Sequence, residues 1–409
     1  MAEAVLWHVR AASAALKLQA NQDAVRTLDH ALQLVDRLPM GRERARLELS
    51  VLTALPAPLV PVSGYMSDRM RQVHQRALPL AAELGVGLEP PLLRSLALAR
   101  LTEGEFEAAR RAGERMRARA EQDADEVLWV ESAYVLGVAS FWTGELKVAL
   151  RHFNDAVDRY RPEYRTEHIL HYGQDPQLFC GMRRAYTLWL MGRNDEAARA
   201  QRETRAQLRE CPHAYSRTAT SLWAAMLAFD QQDIQQVRQL IEPLLARPPK
   251  EWQVKVLAER LGGYLNVLDG RQPGVSQLPA PSHPGDETAE PLAPGQGAML
   301  AHLEIETCAL VGDAKAGLAA ADRDIAQGRF RVWEAEHRRR RAGFLAALGA
   351  PSHQVQSALA GALDVAREHG AVAFEHRARQ DLKKLHAQST EGTLGERPDE
   401  DYVPTDPKR

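Results

Sequence analysis

The sequence predicts an all-α fold: a right-handed α-solenoid of antiparallel helix hairpins, a tetratricopeptide-like superhelix. Three observations lead there. First, a short stop recurs between helical stretches: Thr102-Glu103-Gly104-Glu105, Thr143-Gly144-Glu145, Met191-Gly192-Arg193-Asn194, Leu268-Asp269-Gly270-Arg271 and Val311-Gly312-Asp313. Each glycine can end a helix in the positive-φ conformation without a steric cost, and the acidic or amide residue after it can open the next helix. Second, these glycines are 40, 48, 78 and 42 residues apart, the 78 reading as two units of 39. A period near 40 marks stacked helical hairpins. Third, small residues sit where neighbouring helices must approach, at Ala108, Ala109 and Ala112 and again at Ala197, Ala198 and Ala200.

The elements follow in order. Val5, Val9, Ala12 and Leu16 keep helical spacing, Asn21-Gln22-Asp23 turns the chain, and Val25, Leu28, Leu32 and Val35 continue on a second helix. Pro39-Met40-Gly41 ends that hairpin. A less regular pair covers 42–55 and 66–84, separated by a loop from Pro56 to Gly64, where prolines disfavour helix. The pattern then predicts helices over 90–102, 105–122, 124–142, 145–160, 176–191, 194–210, 213–230, 233–247 and 250–268. Residues 161–175 read as a polar, aromatic loop ending at Asp175-Pro176, an N-cap followed by a proline at the first helical position. Pro273, Pro279, Pro281, Pro284, Pro291 and Pro294 make 271–297 a disordered loop. Helices resume over 298–311, 314–328, 331–348, 353–369 and 371–387. The division expected is one helical-repeat domain over 1–389, interrupted by the 271–297 loop, and a disordered tail over 390–409.

Composition narrows the function classes. The 409 residues are 45% hydrophobic and 26% charged, an ordinary soluble balance. A net charge of −2 argues against nucleic acid or an anionic membrane as a partner. No apolar run approaches the ~20 residues needed to cross a bilayer, and the N-terminus carries Glu3 early, without a signal-peptide pattern. Cys180, Cys211 and Cys308 are odd in number and widely spaced, which suggests reduced thiols and a cytoplasmic location.

Several segments resemble a bacterial family. Tyr172-Gly173-Gln174-Asp175-Pro176 resembles a mid-region signature, and Val332-Trp333-Glu334-Ala335-Glu336-His337-Arg338-Arg339 a late one. Arg44 to Leu49 and Leu78 to Gly85 resemble its early part. The family is the tetratricopeptide-like C-terminal region of large signal-transduction ATPases, often fused to Ser/Thr kinase or adenylate cyclase domains. The resemblance covers about residues 2–387. It implies a sensing or scaffolding module in bacterial signalling or transcriptional regulation, whose partner is a protein segment or an NTPase, kinase or cyclase domain. Two departures stand out. The family's helix after Gly270 is replaced by the proline-rich stretch. The catalytic modules are missing too: no Gly-x-x-x-x-Gly-Lys-[Ser/Thr] loop and no kinase His-Arg-Asp or Asp-Phe-Gly element occurs. The expectation is therefore a protein that is not an enzyme and holds no cofactor.

Candidate binding residues are Tyr134, Tyr172, Gln174, Asp175, Arg183, Tyr186 and Trp223. Tyr172, Gln174 and Asp175 flank the start of a helix whose free N–H groups favour an anion; the plainer reading is that Asp175 fills the cap itself and Tyr172 packs the loop down. Tyr134, Phe141 and Trp142, then Phe179, Tyr186 and Trp189, then Tyr215, Trp223 and Phe229, form three aromatic helices. Their rings either line a concave groove, where Tyr and Arg make binding hot spots, or fill the hairpin core. Tyr134, Arg183 and Tyr186 are the best groove candidates, since a long amphipathic side chain can pack its stem and present a polar tip. His168 and His171, with His152 upstream, lack a third-ligand pattern for zinc. Arg338 to Arg341 spread around a helix and read as a salt-bridged face, with Glu334 and Arg338 paired at i, i+4.

The function expected is non-catalytic binding in the concave groove. Two alternatives are weighed against it. A small-molecule or peptide sensor would be favoured by a compact cavity lined by Tyr134, Tyr172, Arg183 and Tyr186. A hydrolase built on helices would need paired groups, for which Asp175 and His171 are the pair to inspect.

Overall fold

The structure, a computed structural model, describes residues 1–65, 67–249, 252–271 and 294–394, the side chains of 252–253, 294–296 and 388–394 excepted. No strand occurs among the described residues. The first hairpins are α1 (Ala2–Lys17) with α2 (Asn21–Asp36), and α3 (Arg42–Ala54) and α4 (Pro56–Ser63) with α5 (Asp68–Leu84). Next come α6 (Pro90–Glu103) with α7 (Phe106–Asp123), and α8 (Glu126–Trp142) with α9 (Leu146–Arg159). A short helix, α10 (Arg165–Tyr172), precedes α11 (Pro176–Leu190) with α12 (Asn194–Glu210), and α13 (Ala214–Asp230) with α14 (Ile234–Ala246). The last stretch holds α15 (Trp252–Leu268), α16 (Pro294–Val311), α17 (Ala314–Gln327), α18 (Glu334–Ala347), α19 (Ser352–His369) and α20 (Val372–Leu394). The chain is thus an all-α solenoid of stacked antiparallel hairpins, tetratricopeptide-like in kind.

The glycine stops end helices, and all but Gly270, which is followed by 272–293, sit in the tight turn to the next helix. Gly104, Gly144, Gly192, Gly270 and Gly312 have φ of +79°, +82°, +76°, +69° and +76°. The long interval conceals a stop that is not glycine: Gln232, at φ +62° in the turn from α13 to α14, lies 40 residues after Gly192. The expected capping is split. Asp313 accepts from the Ala316 N–H at 3.1 Å and Asp233 from Gln236 at 3.0 Å, whereas Glu105 and Glu145 hold the cap position without capping it and pair instead with Arg100 and Arg110.

Four local expectations are corrected. Residues 161–175 are not a loop: a 3-10 turn over Pro162–Tyr164 leads into α10, which Gly173 ends at φ +74°. The Pro56 to Gly64 stretch is helical as well, because Pro56 and Pro58 fall in the first turn, where no intrahelical N–H is needed, and Pro56 to Pro61 are all buried. Together α3 and α4 make a helical run, Arg42–Ser63, with an apolar window of mean hydropathy 1.3, long and apolar enough to cross a membrane by length and composition, yet 67% buried within the fold. Pro294 opens α16 rather than forbidding helix, and α20 runs on to Leu394. The rest of the expected 271–297 loop, from 272 to 293, and of the expected tail, from 395 onward, lies outside the described residues.

The first helices of successive pairs carry the core. In α8 every residue from Val127 to Trp142 is buried, and α11 and α13 are nearly as enclosed. The second helices bury one narrow stripe, such as Ala109, Gly113, Met116 and Ala120 on α7. One apolar cluster extends from Val5 to Phe374.

An open concave wall is not what results. The superhelix turns far enough for late helices to land on early ones. Gln19, in the α1–α2 turn, donates to the Pro212 carbonyl and accepts from the Ala214 N–H, both at 2.9 Å. Helix α16 packs on α6, and α20 on α11. Trp333, just before α18, sits 5.7 Å from the Trp142 ring and 6.5 Å from the Tyr186 ring. A buried polar seam fastens this contact. The Asp230 carboxylate accepts from Trp333 Nε1 at 2.9 Å, from the Tyr186 hydroxyl, and from His302 Nε2 at 2.8 Å. His302 stacks on Trp333 and meets His337 Nε2 at 3.0 Å, and His337 Nδ1 meets Asp324 at 2.7 Å.

Candidate functional site

The first helices of successive pairs surround a cavity of about 130 Å³. Its walls are Leu98, Leu101 and Thr102 from α6, Tyr134, Val138 and Trp142 from α8, Phe179 and Arg183 from α11, and Tyr215, Ala219, Leu222 and Trp223 from α13. Val254 and Leu257 of α15, Met299 of α16, Gln174 and Tyr65 complete it. Its apolar side chains come from the helical stripe of each hairpin, so the repeat that builds the core also builds the cavity wall.

Two polar groups in this wall have unmet bonding capacity. Arg183 is 6% exposed; its guanidinium carbon lies 4.1 Å from the Trp223 ring centre and 5.8 Å from those of Tyr134 and Phe179. Its Nη1 makes one long bond, 3.4 Å, to the Phe179 carbonyl, and Nε has no partner among the described residues. No carboxylate pairs with it there. Gln174 is 1% exposed and its Nε2 is likewise unpartnered, while its Oε1 accepts from the Tyr65 hydroxyl at 3.4 Å.

A second buried charge beside the cavity is balanced. Arg94 Nε donates to Glu131 at 2.9 Å, and its Nη1 donates to the Tyr65 hydroxyl at 2.7 Å and to the Tyr172 carbonyl at 3.1 Å. Burial opposes the Arg94 charge, but Tyr65 and Glu131 outweigh it and hold its pKa above the usual guanidinium value. Glu131 also meets His168 Nδ1 at 2.8 Å, and His168 stacks on Tyr160. Burial pushes the Tyr65 hydroxyl well above its ordinary pKa, so it stays neutral and can both accept from Arg94 and donate to Gln174.

The predicted residues therefore divide. Tyr134, Gln174, Arg183 and Trp223 meet in one cavity. Tyr186 does not reach it: fully buried, it bonds Asp230 in the polar seam. Tyr172 is buried beside Arg94, and Asp175 is consumed locally, capping α11 through the Gln177 N–H at 3.1 Å and pairing with Arg165 at 3.1 Å. Burial raises the Asp175 carboxyl pKa, with Arg165 opposing. No anion-receptive helix end is left there. Asp175 and His171 are not a working pair, because the His171 side chain is 56% exposed and lies beside Glu167. Among the described residues no group of three His, Cys, Asp or Glu is arranged to hold a metal. Each arginine of the 338–341 run has an acidic partner: Glu334, Glu336, Glu306 and Asp322 in turn.

Sequence reasoning passed over Tyr65, Arg94 and Glu131. The available signal was a single charge inside each of two apolar helices, Arg94 within Leu92 to Leu98 and Glu131 within Val127 to Val138, since buried charges of opposite sign are usually each other's partners.

No protein-family model matches the chain, and no curated protein matches it. Among solved structures, the chain is similar to a Rap protein whose structure was determined in complex with competence and sporulation factor: 10% identity and a TM-score of 0.48 over 96% of this chain and 99% of that one.

Proposed function

We propose that this protein is a non-catalytic binding and sensing module whose ligand occupies the aromatic cavity. The observation that carries the reading is the cavity itself: apolar walls, unpartnered N–H groups on the buried Arg183 and Gln174, and contributions from helices as far apart as α6 and α16. Ligand sites have this composition, mostly apolar with a few placed polar groups. The expected groove narrows to a half-open pocket, and its small volume favours a small effector or one residue of a peptide over a long protein segment. The signalling role, the bacterial cytoplasmic setting and the NTPase, kinase or cyclase partner implied by the sequence resemblance belong to this proposal.

The site is placed to report occupancy. Its walls join α8, α11 and α13 to Met299 on α16. A ligand touching both sides favours the closed superhelix over any looser state, and it shifts that equilibrium only by its difference in affinity for the two. At a concentration of 100 times Kd the closed form gains about 2.7 kcal/mol.

The test is a thermal-shift screen of the full chain with aromatic and branched-alkyl compounds of about six to ten heavy atoms. Binders should raise Tm, and filling the cavity with Ala219→Phe should abolish the shift. If Ala219→Phe folds normally and every binder still shifts its Tm as in wild type, the cavity is not the site.

A further inference from the structure

Resting on the reading of the cavity as an effector site, we infer that its ligand is a compact monocarboxylate, its apolar body among the rings and its carboxylate against Arg183 and Gln174. Charge balance is the first argument. Of the two buried guanidinium groups at the cavity, Arg94 is neutralised by Glu131 and Arg183 has no counterion among the described residues. An unpaired buried charge is costly, and the rings of Trp223, Tyr134 and Phe179 offset only part of that cost. One negative charge completes the site, whereas a dianion would leave a second buried charge unbalanced.

Hydrogen-bond polarity is the second argument. The unpartnered groups there are all donors: Arg183 Nε, Gln174 Nε2 and Arg94 Nη2. Tyr65, itself held by Arg94, occupies the Gln174 carbonyl oxygen, so the amide presents its N–H₂ end. A carboxylate is acceptor-only and suits the edge of a guanidinium whose face is covered by rings. Hydroxyls and amines bring donors to a wall that already has them.

Size is the third. At about 130 Å³ the cavity is close to one of ~150 Å³ known to take benzene. An acid the size of phenylacetate fits that space, as does the last residue of a peptide whose preceding chain leaves by the open side. Such a carboxylate can come from a free acid or from the last residue of a peptide chain.

The experiment is calorimetric titration of the full chain with phenylacetate, phenylacetamide, 2-phenylethanol and N-acetyl-phenylalanine. Phenylacetate should bind at least ~10-fold more tightly than the amide and the alcohol, the worth of a charge-assisted bond. Arg183→Met should weaken phenylacetate by roughly 10- to 100-fold and leave phenylacetamide within about 3-fold. N-acetyl-phenylalanine binding as tightly as phenylacetate identifies a chain terminus as the source; much weaker binding identifies a free acid. Equal affinity for acid and amide overturns the carboxylate and leaves the cavity site standing. No binding by any of the four overturns both. If Arg183→Met does not fold, the wild-type comparison of acid with amide decides alone.

Discussion

Truncating Asp230 should unfasten the late helices from the early ones. Its carboxylate accepts from His302, Trp333 and Tyr186, all buried, and its backbone carbonyl accepts from Arg377. Asp230→Ala leaves the Tyr186 hydroxyl and His302 Nε2 without their acceptor, and Trp333 Nε1 with the Tyr186 oxygen alone. A hydrogen bond to a charged group contributes about 1.5–3 kcal/mol. Three bonds sharing one carboxylate do not add, and removing one member of a buried ion pair costs about 3–5 kcal/mol. The expected loss is therefore about 4 kcal/mol, against about 2 kcal/mol for Asp230→Asn, which keeps an acceptor oxygen. The assay is urea unfolding followed by tryptophan fluorescence and far-UV circular dichroism together, because stacked hairpins need not unfold in one step. The loss should fall in the transition that fluorescence reports, since Trp333 and Trp142 meet at this contact. A loss below about 1 kcal/mol for Asp230→Ala would refute the seam as a fastening.

Remaining predictions concern pH and the turns. Burial lowers the pKa of His302, but the Asp230 charge outweighs it and the net shift is upward from 6.5; in Asp230, burial raises the pKa and His302 reverses it to a net fall from 3.8. The His302 contribution is thus complete below pH 6.5 and lost as pH rises through its folded pKa, and the Asp230 contribution is complete above pH 3.8 and lost as pH falls through its own. Urea midpoints of wild type should fall on both sides of that window, and those of Asp230→Ala should lack the alkaline fall. Gly173→Ala should cost about 3 kcal/mol, because φ is +74° and the new Cβ would lie 2.4 Å from the Ala57 carbonyl oxygen; a Tm equal to wild type would count against that close approach. Gln232→Gly should stabilise by about 0.5–1 kcal/mol by relieving a left-handed turn, and a lowered Tm would show that the glutamine is held there at no cost.

Apart from α10, the period and the helices from Pro90 to Leu268 were legible because most hairpins write their own punctuation: a glycine at the reversal and apolar residues at helical spacing. Gln232 escaped because a left-handed turn can be imposed on glutamine when the helices on either side are firmly packed. Helix α4 escaped because proline tolerance depends on position within the helix, which composition does not state. Within the cavity, Tyr134, Arg183 and Trp223 were nameable from residue type and helix, and Gln174 from its place before the start of α11. Tyr186 looks no different in sequence, and its place in the seam depends on Asp230 and Trp333. Asp230 comes from the neighbouring α13, but Trp333 arrives only when the superhelix has closed, a relation that local pattern does not carry.

That closure also sets an order of events during synthesis. Tyr186 and the indole that seals it, Trp333, are separated by 147 residues of chain. At ~5–20 residues per second, the ribosome takes roughly 7–30 s to deliver the second after the first. Through that interval the emerging half displays a broad aromatic flank around Trp142, Tyr186 and Trp189, sticky to its neighbours in a polysome. Trp333 then covers Trp142 and Tyr186, while Trp189 waits for Phe374, a further 41 residues on.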